Sequence, residues 1–263
     1  MSKPNFEQLL SDALNPANEQ KLNAAYRAFH NYSIGNQILA AMQLEQIAPI
    51  ATYKQWQEKG RQVKKGSKAI ALYMPVIITE KDADGNPIIK ADGTKKTKQV
   101  FTLKNNWFSL NDTEGEPLGA MAHAQFADWD VNKALTALDI TMVDYEKVNG
   151  NAQGYATTGR RIAINPLASL PHKTTFHELA HQVLGHIDDM EAGVILASGI
   201  GDKSLIEVEA EAVAFICCAS LGLEGLAESR HYIQSYMRSL GSLPENSCSS
   251  IFRAADKILK AGY

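Results

Sequence analysis

The pentapeptide His177-Glu178-Leu179-Ala180-His181 constrains this chain more than any other feature. Two histidines four residues apart share a face when the segment is helical, so both imidazoles can point at one ion. Zinc accepts neutral imidazole nitrogens in a tetrahedral site, and a catalytic site keeps one position for water. Glu178 then flanks the metal, where a carboxylate can take a proton from that water. The same five residues also arise by chance on amphipathic helices. Here a strand pattern (Arg161 to Asn165) precedes the segment and Pro171 suits a helix start, as a metallopeptidase fold requires.

Such a site needs a third protein ligand. A pattern with Gly eight and His ten residues after the first His meets Gly185 and Ile187; His186 misses by one position. The alternative is a carboxylate on a later helix, where Glu207-Val208-Glu209-Ala210-Glu211 offers three. At 3.6 residues per turn Glu207 and Glu211 share a face, while Glu209 is turned roughly 160° away from Glu207. Glu207 is favoured as ligand, with Glu211 accepting a hydrogen bond from a ligand imidazole, in a gluzincin-like arrangement. An exposed acidic face would also read this way, but Ala212 to Leu221 is almost wholly apolar, so the helix is buried and its carboxylates need partners.

The 263 residues are long for one domain and comfortable for two. At 45% apolar and 21% charged residues, the chain is neither disordered, fibrous nor a disulfide scaffold. No apolar stretch approaches the roughly 18–20 residues of a membrane helix, and the N-terminus lacks the basic start and apolar run of a signal peptide. Three cysteines, two of them adjacent, fit a reducing compartment. The expectation is a cytoplasmic protein with no membrane partner. The net charge of −3 is asymmetric: up to Leu110 there are 15 Lys+Arg against 9 Asp+Glu, leaving 11 against 20 beyond it. A basic half joined to an acidic half suggests two domains with different partners.

Helical periodicity marks Phe6 to Leu14, about Asn18 to His30, and Gln37 to Gln46, with Asn31 to Asn36 as an interruption. Ala69 to Thr79 and Val100 to Leu103 read as strands around a polar excursion, Glu80 to Gln99, expected to be a mobile loop. Asn111 to Gly119, with Gly115 and Pro117, is the expected linker. The second half reads as helix (Gln125 to Leu138), strand (Ile140 to Val143), a loose segment (Gly150 to Gly159) and strand (Arg161 to Asn165). Four helices follow, at Thr174 to His186, Ser204 to Leu221, Ala227 to Leu240 and Ser249 to Ala261.

Several segments together resemble the ArdC antirestriction family of plasmids and mobile elements. In the first half these are Tyr32-Ser33-x-x-Asn36, Trp56-x-x-x-Gly60-Arg61-x-Val63-x-Lys65-Gly66, the strand Ala69 to Pro75, and Trp107 to Thr113. In the second half they are His177-Glu178-Leu179-Ala180-His181 followed by Gly185-His186, and Glu207-x-x-Ala210-Glu211 running into Ala214 to Cys217. The resemblance implies an α+β protein of two domains, a small single-stranded-DNA-binding domain over 1–118 and a helix-rich zincin-like metallopeptidase domain over 119–263. It implies Zn²⁺ as cofactor, with His177, His181 and Glu207 as ligands and Glu178 as base. The implied role is protection of transferred DNA from host nucleases after conjugation. The alternative is an active metalloprotease that cleaves a host defence or regulatory protein, with DNA binding as targeting. A metal-dependent nuclease is disfavoured, because that chemistry prefers carboxylate-rich Mg²⁺ or Mn²⁺ sites.

Single-stranded DNA is held by a basic groove and by aromatic faces on which bases stack. Tyr53, Trp56, Arg61, Lys64, Lys65 and Lys68, with Trp107 from a strand, are the expected contacts. Tyr73 and Phe101 are further candidates, although Phe101 is expected to be core. Gly60 and Gly66 suit tight turns that let backbone N–H groups approach phosphates.

Overall fold

The computed structural model describes residues 5–29, 31–117, 129–146, 152–187 and 200–263. The chain divides by contacts into one unit built on Gln43–Leu118 and another that combines Phe6–Met42 with Gly119–Tyr263. This differs from the linear division 1–118 and 119–263. The reason lies in three helices, α1 (Phe6–Leu14), α2 (Glu19–Phe29) and α3 (Ile34–Gln43). Their apolar faces, including Leu9, Leu10, Leu14, Leu22 and Ile38, share one core with Phe215, Ile251 and Ile258 from the other end of the chain. Polar ties fix the same docking: Asn23 donates to the Ser220 carbonyl at 2.8 Å, and Arg230 donates to the Leu14 carbonyl at 2.7 Å. Burying each large aliphatic side chain contributes about 1.5–3 kcal/mol, so these helices are held where their apolar faces are covered. Leu10, 1% exposed, tests this. Leu10→Ala should lower the unfolding free energy by about 2–5 kcal/mol in chemical denaturation, and a loss below about 0.5 kcal/mol would place α1 outside the core.

In the Gln43–Leu118 unit, strand β1 (Ile50–Thr52) leads into α4 (Tyr53–Glu58), which Thr52 and Gln55 start with a capping box. Strands β2 (Arg61–Val63), β3 (Ile70–Thr79), β4 (Thr97–Ser109) and β5 (Thr113–Gly115) follow. β4 lies between β1 and β3, antiparallel to both, and β2 pairs antiparallel with β5. The expected linker is therefore partly a strand. Arg61 explains why: its guanidinium donates to the Thr113 hydroxyl at 2.8 Å, to the Thr113 carbonyl at 3.1 Å, and to the carbonyls of Gly115 and Glu116. Gly115 is required at this crossing, since a Cβ there would lie 2.4 Å from the Gly60 carbonyl oxygen. Residues 118–119 of that expected linker lie outside the described residues. The excursion from Glu80 to Gln99 is built of two closed turns, bridged at Lys81–Pro87 and Ile89–Lys95.

In the other unit, α5 (Val131–Leu138) is capped by Asp130, and the first residues of the helix expected from Gln125 lie outside the described residues. Strands β6 (Thr141–Met142), β7 (Gly154–Thr157) and β8 (Arg161–Ile164) form a sheet in the order β6-β8-β7. β7 occupies part of the segment expected to be loose; its Gly-Tyr-Ala-Thr sequence is too short to show alternation. Helices α6 (Pro171–Leu184), α7 (Ile200–Leu221), α8 (Leu226–Leu240) and α9 (Glu245–Ala261) complete it. Every residue from 210 to 220 is buried, so α7 is the centre of this unit and carries Glu211 into the core. The architecture is mixed α+β. Among the described residues no helix is long and apolar enough to cross a membrane.

A candidate metal centre

Helix α6 presents the His-Glu-x-x-His face because both of its ends and one side are fixed. Pro171 sits in its first turn, where the missing N–H costs nothing. The Gln182 amide donates to the carbonyls of Thr157 and Arg161 at 2.8 and 3.0 Å, clamping α6 to β7 and β8. Gly185, with φ of 83°, ends the helix in the left-handed region.

His177, His181 and Glu207 each aim one ligand atom at a common point, all within 4.8 Å of one another. The two Nε2 atoms are 3.1 Å apart. Glu207 reaches them at 3.4 Å (His177) and 3.8 Å (His181). A tetrahedral ion with bonds of about 2.0–2.2 Å sets its donors roughly 3.3–3.6 Å apart, so the donor set fits a divalent cation. Glu211 stands behind His177, its carboxylate 3.1 Å from Nδ1 and held on its other oxygen by Lys173 at 2.6 Å. Glu207 and Glu211 thus occupy the face expected from the helical spacing.

Two residues were not legible as parts of this site. His186, one position out of register for a ligand, places Nδ1 3.0 Å from His181 Nδ1, and its Nε2 meets Glu209 at 2.9 Å. Glu209 is turned away from Glu207, as the spacing requires, and finds its partner there. The available signal was Gly185, whose left-handed turn folds His186 back beside the helix.

Electrostatics follow from this wiring. Burial alone would lower the His177 pKa, but hydrogen bonds to the Glu207 and Glu211 carboxylates outweigh it and hold the group at about 9. His181, buried and facing His177, is pushed down to about 3. Burial would raise Glu211, yet its bonds to His177 and Lys173 bring it to about 2. Glu178 is buried beside the ligands. The strand β7 passes so close that a Cβ at Gly154 would lie 2.7 Å from Thr174 Cγ2 and 3.1 Å from Glu178 Oε1. Gly154, Tyr155 and Ala156 line a cavity of about 430 Å³ together with His177, Glu178 and Glu207.

The residues expected at DNA lie in the Gln43–Leu118 unit, and the structure separates them. Trp56 is 1% exposed, with its indole N–H donating to the Phe108 carbonyl at 2.9 Å, and Trp107 is 7% exposed. Both rings are core and offer no open face. Arg61 is spent on β5. Lys64 is exposed, though its ammonium reaches the Asn111 carbonyl at 3.0 Å. Lys65, Lys68 and Tyr53 are exposed. Phe101, expected in the core, is 51% exposed. Its strand extends beyond the stretch paired with β1, where β3 and β4 form a two-stranded ribbon. Period-2 patterning marks which residues share a face and is silent on whether anything covers that face.

Residues 5–108 match the family model of the N-terminal domain of the anti-restriction factor ArdC. Crystal structures of the antirestriction protein ArdC from plasmid R388 are similar along almost the whole length. The metal-free form has a TM-score of 0.56 at 22% identity, covering 98% of this chain and 95% of that one. The Mn(II)-bound form has a TM-score of 0.50 with the same identity and coverage. No curated protein matches the chain in sequence. Residues 5–108 thus match the ArdC N-terminal domain, and the chain as a whole shares the fold of the R388 protein.

Proposed function

We propose that this chain is an antirestriction protein of mobile DNA that binds single-stranded DNA through its Gln43–Leu118 unit and carries a divalent-metal peptidase centre, Zn²⁺ being the expected ion. The convergence of His177, His181 and Glu207 beside a buried Glu178 carries the reading. Two imidazoles and one carboxylate are a donor set that zinc accepts with a position left for water, and the Mn(II) form of the R388 protein shows a divalent ion in a chain of this fold. When bound, the ion supplies Lewis-acid polarisation and a more acidic water. The chain's own residues do the rest. Glu178 accepts the proton, and Glu211 holds His177 with its Nδ1–H donated outward. Among the described residues β7 has no strand on its outer edge, so an extended peptide can add there across the cavity. β8 cannot serve in the same way, because it is the central strand of that sheet and both its edges are taken.

The DNA reading rests on 12 Lys+Arg against 9 Asp+Glu from 43 to 117, and on exposed aromatics. With Trp56 and Trp107 buried, the stacking role passes to Tyr53 and Phe101, and the electrostatic role to Lys65 and Lys68. Phe101→Ala should cost about 1–3 kcal/mol in affinity for an oligothymidine, measured by fluorescence anisotropy. Lys65→Ala with Lys68→Ala should make the plot of log K against log salt shallower by about 1.4, since two fewer phosphates are neutralised. Equal affinity of the wild-type chain for duplex and single strand would reduce the reading to a plain electrostatic patch.

A further inference from the structure

We propose that His186 and Glu209 form a hydrogen-bonded relay that fixes His181 in the one neutral tautomer able to offer a lone pair at Nε2. The proposal rests on reading His177, His181 and Glu207 as metal ligands.

The two ligand histidines are held in different ways. His177 Nδ1 faces the Glu211 carboxylate directly at 3.1 Å. Among the described residues no carboxylate is hydrogen-bonded to the corresponding nitrogen of His181. There the neighbour is another imidazole, with the two Nδ1 atoms 3.0 Å apart. Between two ring nitrogens at that distance one must donate and the other accept, so geometry alone leaves the direction open. The far end of His186 decides it. Its Nε2 lies 2.9 Å from Glu209, and an ionised carboxylate only accepts. A neutral His186 therefore carries its proton on Nε2 and presents a lone pair at Nδ1. His181 must then donate from Nδ1, which leaves its Nε2 unprotonated and facing His177 and Glu207. That is the nitrogen the metal reading requires.

The local backbone serves this arrangement. α6 ends at Leu184, and Gly185 at φ of 83° turns the next residue back. A Cβ at Gly185 would meet nothing within 4 Å, so glycine is there for its conformation. His186 and His181 are 4% and 6% exposed, which keeps bulk solvent away from their contact. His186 is not a fourth ligand, because it contacts His181 on the nitrogen opposite the ligand point. Glu209 likewise has a task distinct from those of Glu207 and Glu211, so the three carboxylates of one helix serve three different rings or ring atoms.

The test uses the full chain. Nitrogen-15 NMR of the imidazoles at neutral pH should show His181 protonated on Nδ1 and His186 neutral and protonated on Nε2. A doubly protonated His186, or one with its proton on Nδ1, overturns the relay. Zinc affinity, read by competition with a chromophoric chelator, should fall about 10–100-fold in His186→Phe, which keeps ring volume without an acceptor. His186→Asn places a carbonyl oxygen near the former Nδ1 and should recover much of that loss. An unchanged affinity in His186→Phe, or equal losses in both variants, would reduce His186 to packing and overturn the proposal. If the wild-type chain takes up no zinc, the ligand reading fails by itself, and the tautomers of the metal-free chain then decide the relay.

Discussion

His181→Ala should purify without the roughly one equivalent of metal expected for a site with three protein ligands. The reason is geometric. His177, His181 and Glu207 supply one atom each around a single point, so removing one imidazole leaves two of the three donors. Elemental analysis of wild type and variant checks it, and wild-type protein that folds without binding zinc or manganese would sink the metal reading. Stability carries a second readout. At a free zinc concentration 100 times the dissociation constant, the wild-type chain should gain about 2.7 kcal/mol, while the variant gains none. Glu207→Ala should behave like His181→Ala. Glu209→Ala should lose less metal, because Glu209 reaches the site only through His186.

Glu178→Gln should keep its metal and lose peptide cleavage by about 10²–10⁴-fold, since an amide cannot accept the proton that a carboxylate takes. The substitution is nearly isosteric and Glu178 is 7% exposed, so it changes the chemistry of the site with little change in its shape. The same variant separates two routes to antirestriction. If the protein protects DNA by coating the incoming strand, Glu178→Gln protects as well as wild type in a conjugation assay, and the Lys65 and Lys68 variants do not. That is the expected outcome, because coating needs only the unit proposed to bind DNA. Loss of protection in Glu178→Gln with DNA binding intact would overturn it and point to cleavage of a host protein.

The helical repeat made the shared faces of α6 and α7 readable in advance, because residues four apart on a helix must share a side. His177 with His181, and Glu207 with Glu211, needed no tertiary knowledge to be paired. Strand β7 was not readable in the same way. Four residues without alternation carry no period, and Gly154 reads as a loop signal until Glu178 and Thr174 are seen to leave no room for a side chain. The aromatics show the same limit. Trp56 and Phe101 are both ring residues near lysines, yet Trp56 is buried under β4 with its N–H satisfied and Phe101 stands half open on the ribbon.

By itself, then, the sequence determined what depends on local spacing: most of the helices though not α4, the β3–β4 hairpin, the two imidazoles and their carboxylate partners. Only the tertiary structure decided which surfaces are covered. Helices α1 to α3 carry apolar faces that any sufficiently large core can bury, and the core that buries them is built by α7 and α9, more than 150 positions later in the chain. His186 became the neighbour of His181 through one left-handed glycine, and Glu209 became its acceptor because α7 crosses α6 at that height. Local periodicity fixes the side of an element on which a residue stands, whereas its partner is chosen by hydrophobic burial and hydrogen-bond satisfaction summed over the whole fold.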